Sequence, residues 1–246
     1  MGLLSLPRKN KGTAMKIRFA AALVAAAAFL SGCAVTPQQP IAFAPAKLKE
    51  APARQVGVVM TKLPKVDTAF PGAGCLLCYA AAATANGSLT RHTASLTHED
   101  LPQLKTMVVD QLTRDGVAAK AIDEELDVAK LPKAKVKGPN LAKRDFTQLK
   151  EKYGVDQLLV IELQTIGFVR NYSAYVPLSD PKATFAGSGY MVDLNDNSLQ
   201  WYREVLIQKA ADGAWDEPPA FPGLTNAYYQ ALELGKDDIL TALKGQ

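Results

Sequence analysis

The sequence has little of what metal, redox and nucleophilic chemistry draws on. Among 246 residues there are three cysteines, two histidines and two tryptophans. No G-x-S-x-G elbow is present to hold a serine nucleophile at a strand-to-helix turn. Beyond residue 32 no Lys/Arg run supplies the clustered cationic surface that replaces phosphate counterions, which argues against a nucleic-acid partner. Nor does any apolar run reach the roughly 20 residues that a helix needs to cross a bilayer core.

Acidic residues are also missing from one stretch. Residues 1–32 contain Arg8, Lys9, Lys11, Lys16 and Arg18 and no Asp or Glu. Taking those five from the 28 cationic residues leaves 23 against 24 acidic ones, so the formal +4 of the whole chain becomes −1 beyond the leader. A cationic region followed by apolar residues 19–30 and then Ser31 and Gly32 has the parts of a secretory signal. Translation starting at Met15 rather than Met1 would leave those parts intact.

The tetrapeptide Leu30-Ser31-Gly32-Cys33 resembles the bacterial lipobox. The resemblance implies cleavage before Cys33 and a covalent lipid on its thiol, with several acyl chains holding the protein to its leaflet far better than one would. Ala34 rather than Asp follows, which by the same resemblance favours the outer membrane over the inner one. Residues 33–53 carry Pro37, Pro40, Pro45 and Pro52 and read as a lipidated tether, because proline fixes φ and removes donors.

Residues 54–246 read as one α/β domain with a mixed sheet, of the α+β kind, with helices packed on it. Residues 55–63 are a β-branched strand. Leu101, Leu104, Val108 and Leu112 form one helical face, with Thr97 as the expected N-cap and Gly116 as the end. Residues 117–122 suggest a strand, and Leu141, Phe146 and Leu149 a second helix closed by Gly154. Residues 155–169 are the most strand-like, 183–194 and 199–209 form a hairpin about residues 195–198, and a last helix covers 224–243. Residues 64–97 are an insertion without a clear assignment.

A helix, then Tyr153-Gly154-Val155-Asp156 entering an apolar strand, then Val192-Asp193-Leu194 and Leu199-Gln200-Trp201, resembles the small periplasmic domains of envelope lipoproteins. That group includes the TolB amino-terminal domain, LpoB and CsgG. Such a resemblance implies docking on envelope proteins, or self-association, rather than catalysis. The sequence departs from that pattern in two places: the insertion at 64–97 has no counterpart, and there is no second long amphipathic hairpin of the kind CsgG uses to build its pore.

Chemistry-bearing residues gather in one segment. Cys75, Cys78, His92 and His98 follow C-x2-C-x13-H-x5-H, a spacing that can close a tetrahedral zinc site. Position 82 is Ala where a zinc finger places a large aromatic, and an exported Cys pair meets an oxidising compartment. A Cys75–Cys78 disulfide and unbonded packed thiols are therefore the alternatives. Thioredoxin-type pairs open a helix whose N-terminus stabilises the first thiolate, a setting that Gly72-Ala73-Gly74 before Cys75 could imitate; against that reading, Leu76 and Leu77 stand between the cysteines, nothing cationic is adjacent, and Pro64 and Pro71 interrupt the preceding strand. Residues 74–85 also read as an apolar helix that packs on a partner or on the bilayer surface, too short to span a membrane. Asp193, Asn195, Asn197 and Glu204 match calcium-loop positions, but Ser198 replaces the required Gly, and turn chemistry explains the same residues. Gly187-Ser188-Gly189 reads as a close backbone approach rather than a phosphate loop.

The expectation is thus a non-enzymatic outer-membrane lipoprotein, lipidated at Cys33, without cofactor, whose periplasmic domain binds an envelope protein or its own copies. The alternatives are an oligomeric secretion or pore component of CsgG-like type, and a zinc- or thiol-dependent protein using Cys75, Cys78, His92 and His98.

Overall fold

A computed structural model of the chain describes Gly2, residues 37–49 and residues 55–244. The chain divides after Pro37, and the architecture below is that of the part from Gln38 onward. Residues 1–32, read as a signal peptide, and Cys33 fall, apart from Gly2, outside the described residues.

The backbone of the fold is a mixed six-stranded sheet. Its central strand β4 (Gln157–Val169) is flanked on one edge by β1 (Val56–Met60) and β2 (Val66–Ala69), both parallel to it. Strand β3 (Ala119–Ala121) adds in parallel outside β1. On the other edge β7 (Lys182–Asp193) and β8 (Leu199–Lys209) continue antiparallel as a hairpin. The near-continuous apolar run of β4 is explained by burial on both faces, as the sequence led us to expect of a sheet interior.

One face is covered by α4 (Gln103–Arg114) and α6 (Pro222–Ala242), after the short helices α1 (Pro45–Lys49), α2 (Leu76–Ala85) and α3 (Gly87–Thr93) earlier in the chain. Leu104, Val108 and Leu112 on α4 are fully buried with Leu159, Ile161, Phe168 and Phe185 of the sheet and Tyr228 of α6. The opposite face is covered by the connection from Ile122 to Tyr153, through Leu131, Phe146 and Leu149. No helix among the described residues is long and apolar enough to cross a membrane.

Three expectations are corrected. Residues 41–48 were expected to be tether, yet Ile41 pairs antiparallel with Tyr202, and Phe43 and Leu48 are buried on the sheet. Proline ends no contact there; Phe43 meets the Trp201 ring edge-on at 6.4 Å, and that apolar contact holds the segment down. The helix expected from Leu141 is only α5 (Leu149–Tyr153). The residues before it are bridges, bends and a turn rather than helix, held by Asn197: its side chain accepts from Phe146 N and donates to Ala142 O and Arg144 O. Helix α4 begins at Gln103 rather than at a Thr97 cap, after a turn in which Leu101 N bonds His98 O.

The unassigned segment 64–97 resolves into β2, α2 and α3. The small-residue step at 187–189 is a close approach: a Cβ on Gly189 would lie 2.5 Å from the Trp201 ring, and one on Gly187 2.4 Å from Glu162 O.

Candidate functional site

At the C-terminal end of β4 the chain builds a small outlying lobe. Segment 69–72 runs beside 170–174: Arg170 N donates to Ala69 O, Tyr172 N to Pro71 O, and Ala174 N to Gly72 O. Gly72 has φ +88°, and a Cβ there would overlap Tyr172 O, so only glycine permits the two backbones to meet. Strands β5 (Tyr172–Ser173) and β6 (Val176–Pro177) then form a two-stranded ribbon. Phe70, Ala73, Cys78, Ala82 and Tyr172 make a separate apolar cluster beneath it.

Helix α2 enters this lobe with Cys75 as its N-cap. The Cys75 sulfur accepts the Cys78 N–H at 2.9 Å, and the two cysteines are joined as a disulfide. Helix α2 is inverted in size. Its small residues Cys78 and Ala82 face inward because the cluster they enter is thin, while Leu76 is 86% and Leu77 71% exposed. Tyr79 is exposed beside them, and Tyr175, Val176 and Leu178 are exposed on the abutting ribbon. The Tyr175 hydroxyl lies 3.7 Å from Cys75 Sγ, which places the two segments against each other. These six large apolar side chains lie exposed on two touching segments, and removing such surface from water is favourable by roughly 25 cal/mol for each Å².

A buried amide positions this tip. Asn86, at the end of α2, donates to Ala82 O and the Tyr172 hydroxyl, both at 2.7 Å. Its Oδ1 accepts from Arg170 Nη1 at 2.8 Å, and Arg170 also donates to Ser179 O while lying 4.7 Å over the Trp215 ring. Sequence reading found the cysteine pair but not this network, in which Asn86 lies 86 residues from Tyr172 and 84 from Arg170.

The four residues weighed as a zinc set are not brought together as one. The sulfurs are bonded to each other, and His92 Nε2 lies 2.8 Å from Thr225 Oγ1 with its ring against Phe221. Burial lowers the His92 pKa. Among the described residues no three His, Cys, Asp or Glu side chains converge as a metal site. The calcium-like residues at 193–197 form a turn, in which Asp193 Oδ1 accepts from Asn195 N and Asn197 takes φ +66°.

A second polar feature lies on the sheet itself. Tyr190 donates to Glu162 Oε2 at 3.0 Å and Tyr202 to Glu204 Oε1 at 2.8 Å, on neighbouring strands. Burial, then the adjacent carboxylates, push the Tyr202 phenol up to about 12 and hold the Tyr190 phenol above its usual range. These phenols are hydrogen-bond donors at neutral pH. Beside them a cleft of about 600 Å³ is lined by Thr61, Lys62, Glu125, Asp127, Lys130 and Glu162, with both charge signs represented.

No protein-family model matches the chain, and no curated protein matches it in sequence. Solved structures with a similar course of chain include the PelC dodecamer from Paraburkholderia phytofirmans, at 8% identity over 78% of this chain and 89% of that one, TM-score 0.35. Protein XCC0632 from Xanthomonas campestris is 13% identical over 76% and 81%, TM-score 0.39. Lipoprotein GNA1162 from Neisseria meningitidis is 13% identical over 75% and 99%, TM-score 0.27.

Proposed function

We propose that this protein is an outer-membrane lipoprotein, anchored by lipid on Cys33, whose periplasmic domain acts by binding another envelope protein rather than by catalysis. The observation that carries the reading is the tip: Leu76, Leu77, Tyr79, Tyr175, Val176 and Leu178 are exposed on a lobe held by a disulfide and a buried amide network. A tip built so firmly keeps those side chains in one arrangement, and a fixed apolar surface binds with less ordering cost than a loose one. The lipobox at 30–33 and the resemblance of the domain's motifs to envelope lipoproteins support the address.

Two experiments test this. Palmitate labelling of cells is expected to mark the wild-type protein and not Cys33→Ala; labelling of the variant sinks the anchor. A photo-crosslinking residue at Leu77 is expected to join a discrete envelope protein in intact cells, and Leu77→Glu or Val176→Glu to reduce complex formation.

Self-assembly is the second reading, and one observation favours it. Strand β8 ends the sheet, and below the Ile41 bridge its outer edge has no strand partner among the described residues. Leu206 is exposed on that stretch. Such an edge pairs readily with another chain. Size-exclusion of the purified protein separates the readings: a ring-sized species supports assembly and a clean monomer argues against it.

A further inference from the structure

The Cys75–Cys78 pair has a feature that docking alone does not need: its two residues differ sharply in exposure. Cys75 is exposed at the head of α2, whereas Cys78 is 3% exposed among Phe70, Ala73, Ala82 and Tyr172. Of the two residues, Cys75 is the one on the surface that an incoming group meets.

The surroundings of Cys75 also suit an anionic sulfur. Its Sγ already accepts the Cys78 N–H, and the Tyr175 hydroxyl is 3.7 Å away. Helix α2 has ten residues, and its first turn contains no acidic side chain to oppose the partial positive charge of its N-terminus. A thiolate at the head of a helix is stabilised by those groups, which lowers its pKa without any cationic neighbour.

As a staple, by contrast, the bond does little. It closes the shortest kind of loop, where cross-linking removes least freedom from the unfolded chain. The same turn is held by its own backbone, Tyr79 N donating to Cys75 O at 2.9 Å.

We propose that Cys75 is a thiol-exchange site, at which a free cysteine thiolate of an exported polypeptide docked on the tip attacks the disulfide. The attacking sulfur forms a new S–S bond to Cys75 Sγ. The Cys75–Cys78 bond breaks, and its electron pair leaves on Cys78 Sγ, which takes a proton from solvent. The product is a mixed disulfide joining the two proteins. It is reversed when the Cys78 thiolate attacks Cys75 Sγ and expels the partner's thiolate, so the step needs no further oxidant. Leu76, Leu77 and Tyr79, which follow Cys75 on α2, and Tyr175, whose hydroxyl is 3.7 Å from the sulfur, are exposed apolar side chains that would seat the arriving chain. The site rests on the reading of the tip as a docking surface, but its chemistry is measurable apart from it.

The test uses the full protein in detergent and reduced glutathione as the probe, with acid quenching and peptide mass mapping. Glutathione is expected on Cys75 at least about tenfold more than on Cys78 in the native protein, because only Cys75 is accessible and set at a helix head. In Cys78→Ala, the pH dependence of Cys75 alkylation is expected to give a thiol pKa below the ordinary value of about 8.5. Adduct on Cys78, adduct only after denaturation, or a Cys75 pKa at or above the ordinary value would each overturn the proposal. Failure of the docking reading looks different: glutathione still marks Cys75 selectively, in wild type and Leu77→Glu alike, while crosslinks from the tip are absent in cells.

Discussion

The side-chain amide of Asn86 and the hydroxyl of Tyr172, 86 residues apart, are joined by a buried hydrogen bond of 2.7 Å. That bond fastens α2 to the β5–β6 ribbon, and Asn86 Oδ1 extends the link to Arg170. Asn86→Ala would leave the phenol and the guanidinium without this partner. A loss of about 1–3 kcal/mol is expected, the cost of leaving buried polar groups unpaired. Urea unfolding measures it, and amide exchange should quicken at residues 172–178 while β4 stays protected.

Gly72 and Gly74 are two residues apart and are expected to behave oppositely when replaced by Ala. At Gly72 the backbone is left-handed and the new Cβ meets Tyr172 O, whereas nothing lies within 4 Å at Gly74. Gly72→Ala should cost about 2–3 kcal/mol, combining the left-handed penalty with the clash. Gly74→Ala should stay within about 0.5 kcal/mol of wild type. Equal stability of the two variants would contradict the close pairing of 69–72 with 170–174.

Much of the sheet was legible in the sequence because its signals are local. The apolar run of β4, the 183–209 hairpin and the face of Leu104, Val108 and Leu112 all follow from periodicity within one element. Of the tip, the apolar helix at 74–85 was legible, but its junction with the β5–β6 ribbon was not, for the opposite reason. Leu76 and Leu77 beside an alanine run carry no amphipathic pattern, and the lobe exists only because Gly72, Asn86 and Arg170 bring distant backbones together. The N-terminal prolines misled in the same way, since composition gave a tether and Trp201 gave Phe43 a place to pack.

Stability is expected to fall on mild acidification through His92. Burial lowers its pKa in the folded protein, so the unfolded chain binds the proton more readily. The folded state is favoured above the unfolded value of about 6.5, and the contribution is lost as pH falls through the lower folded value. Urea midpoints at pH 7.5 and pH 5 should therefore differ more for wild type than for His92→Gln. An identical pH dependence in the two proteins would place the acid sensitivity elsewhere.

Phe43 tests whether residues 41–48 belong to the domain. Phe43→Ala removes the edge-on contact with Trp201, and a loss of about 2–3 kcal/mol is expected, below the range for an aromatic at the centre of a core. Limited proteolysis should then cut residues 38–54 faster in the variant. An unchanged cleavage rate would return this stretch to the role of a tether.

The claim on which the functional reading depends is that the tip is the surface that meets a partner. A photo-crosslinking residue placed in intact cells at Leu77 and, separately, at Val136 tests it most directly, since both side chains are about equally exposed and apolar but Val136 stands on the connection covering the other face of the sheet. A discrete adduct is expected from position 77 and none from position 136. No adduct from either position, or the same adduct from both, would contradict the docking role of the tip.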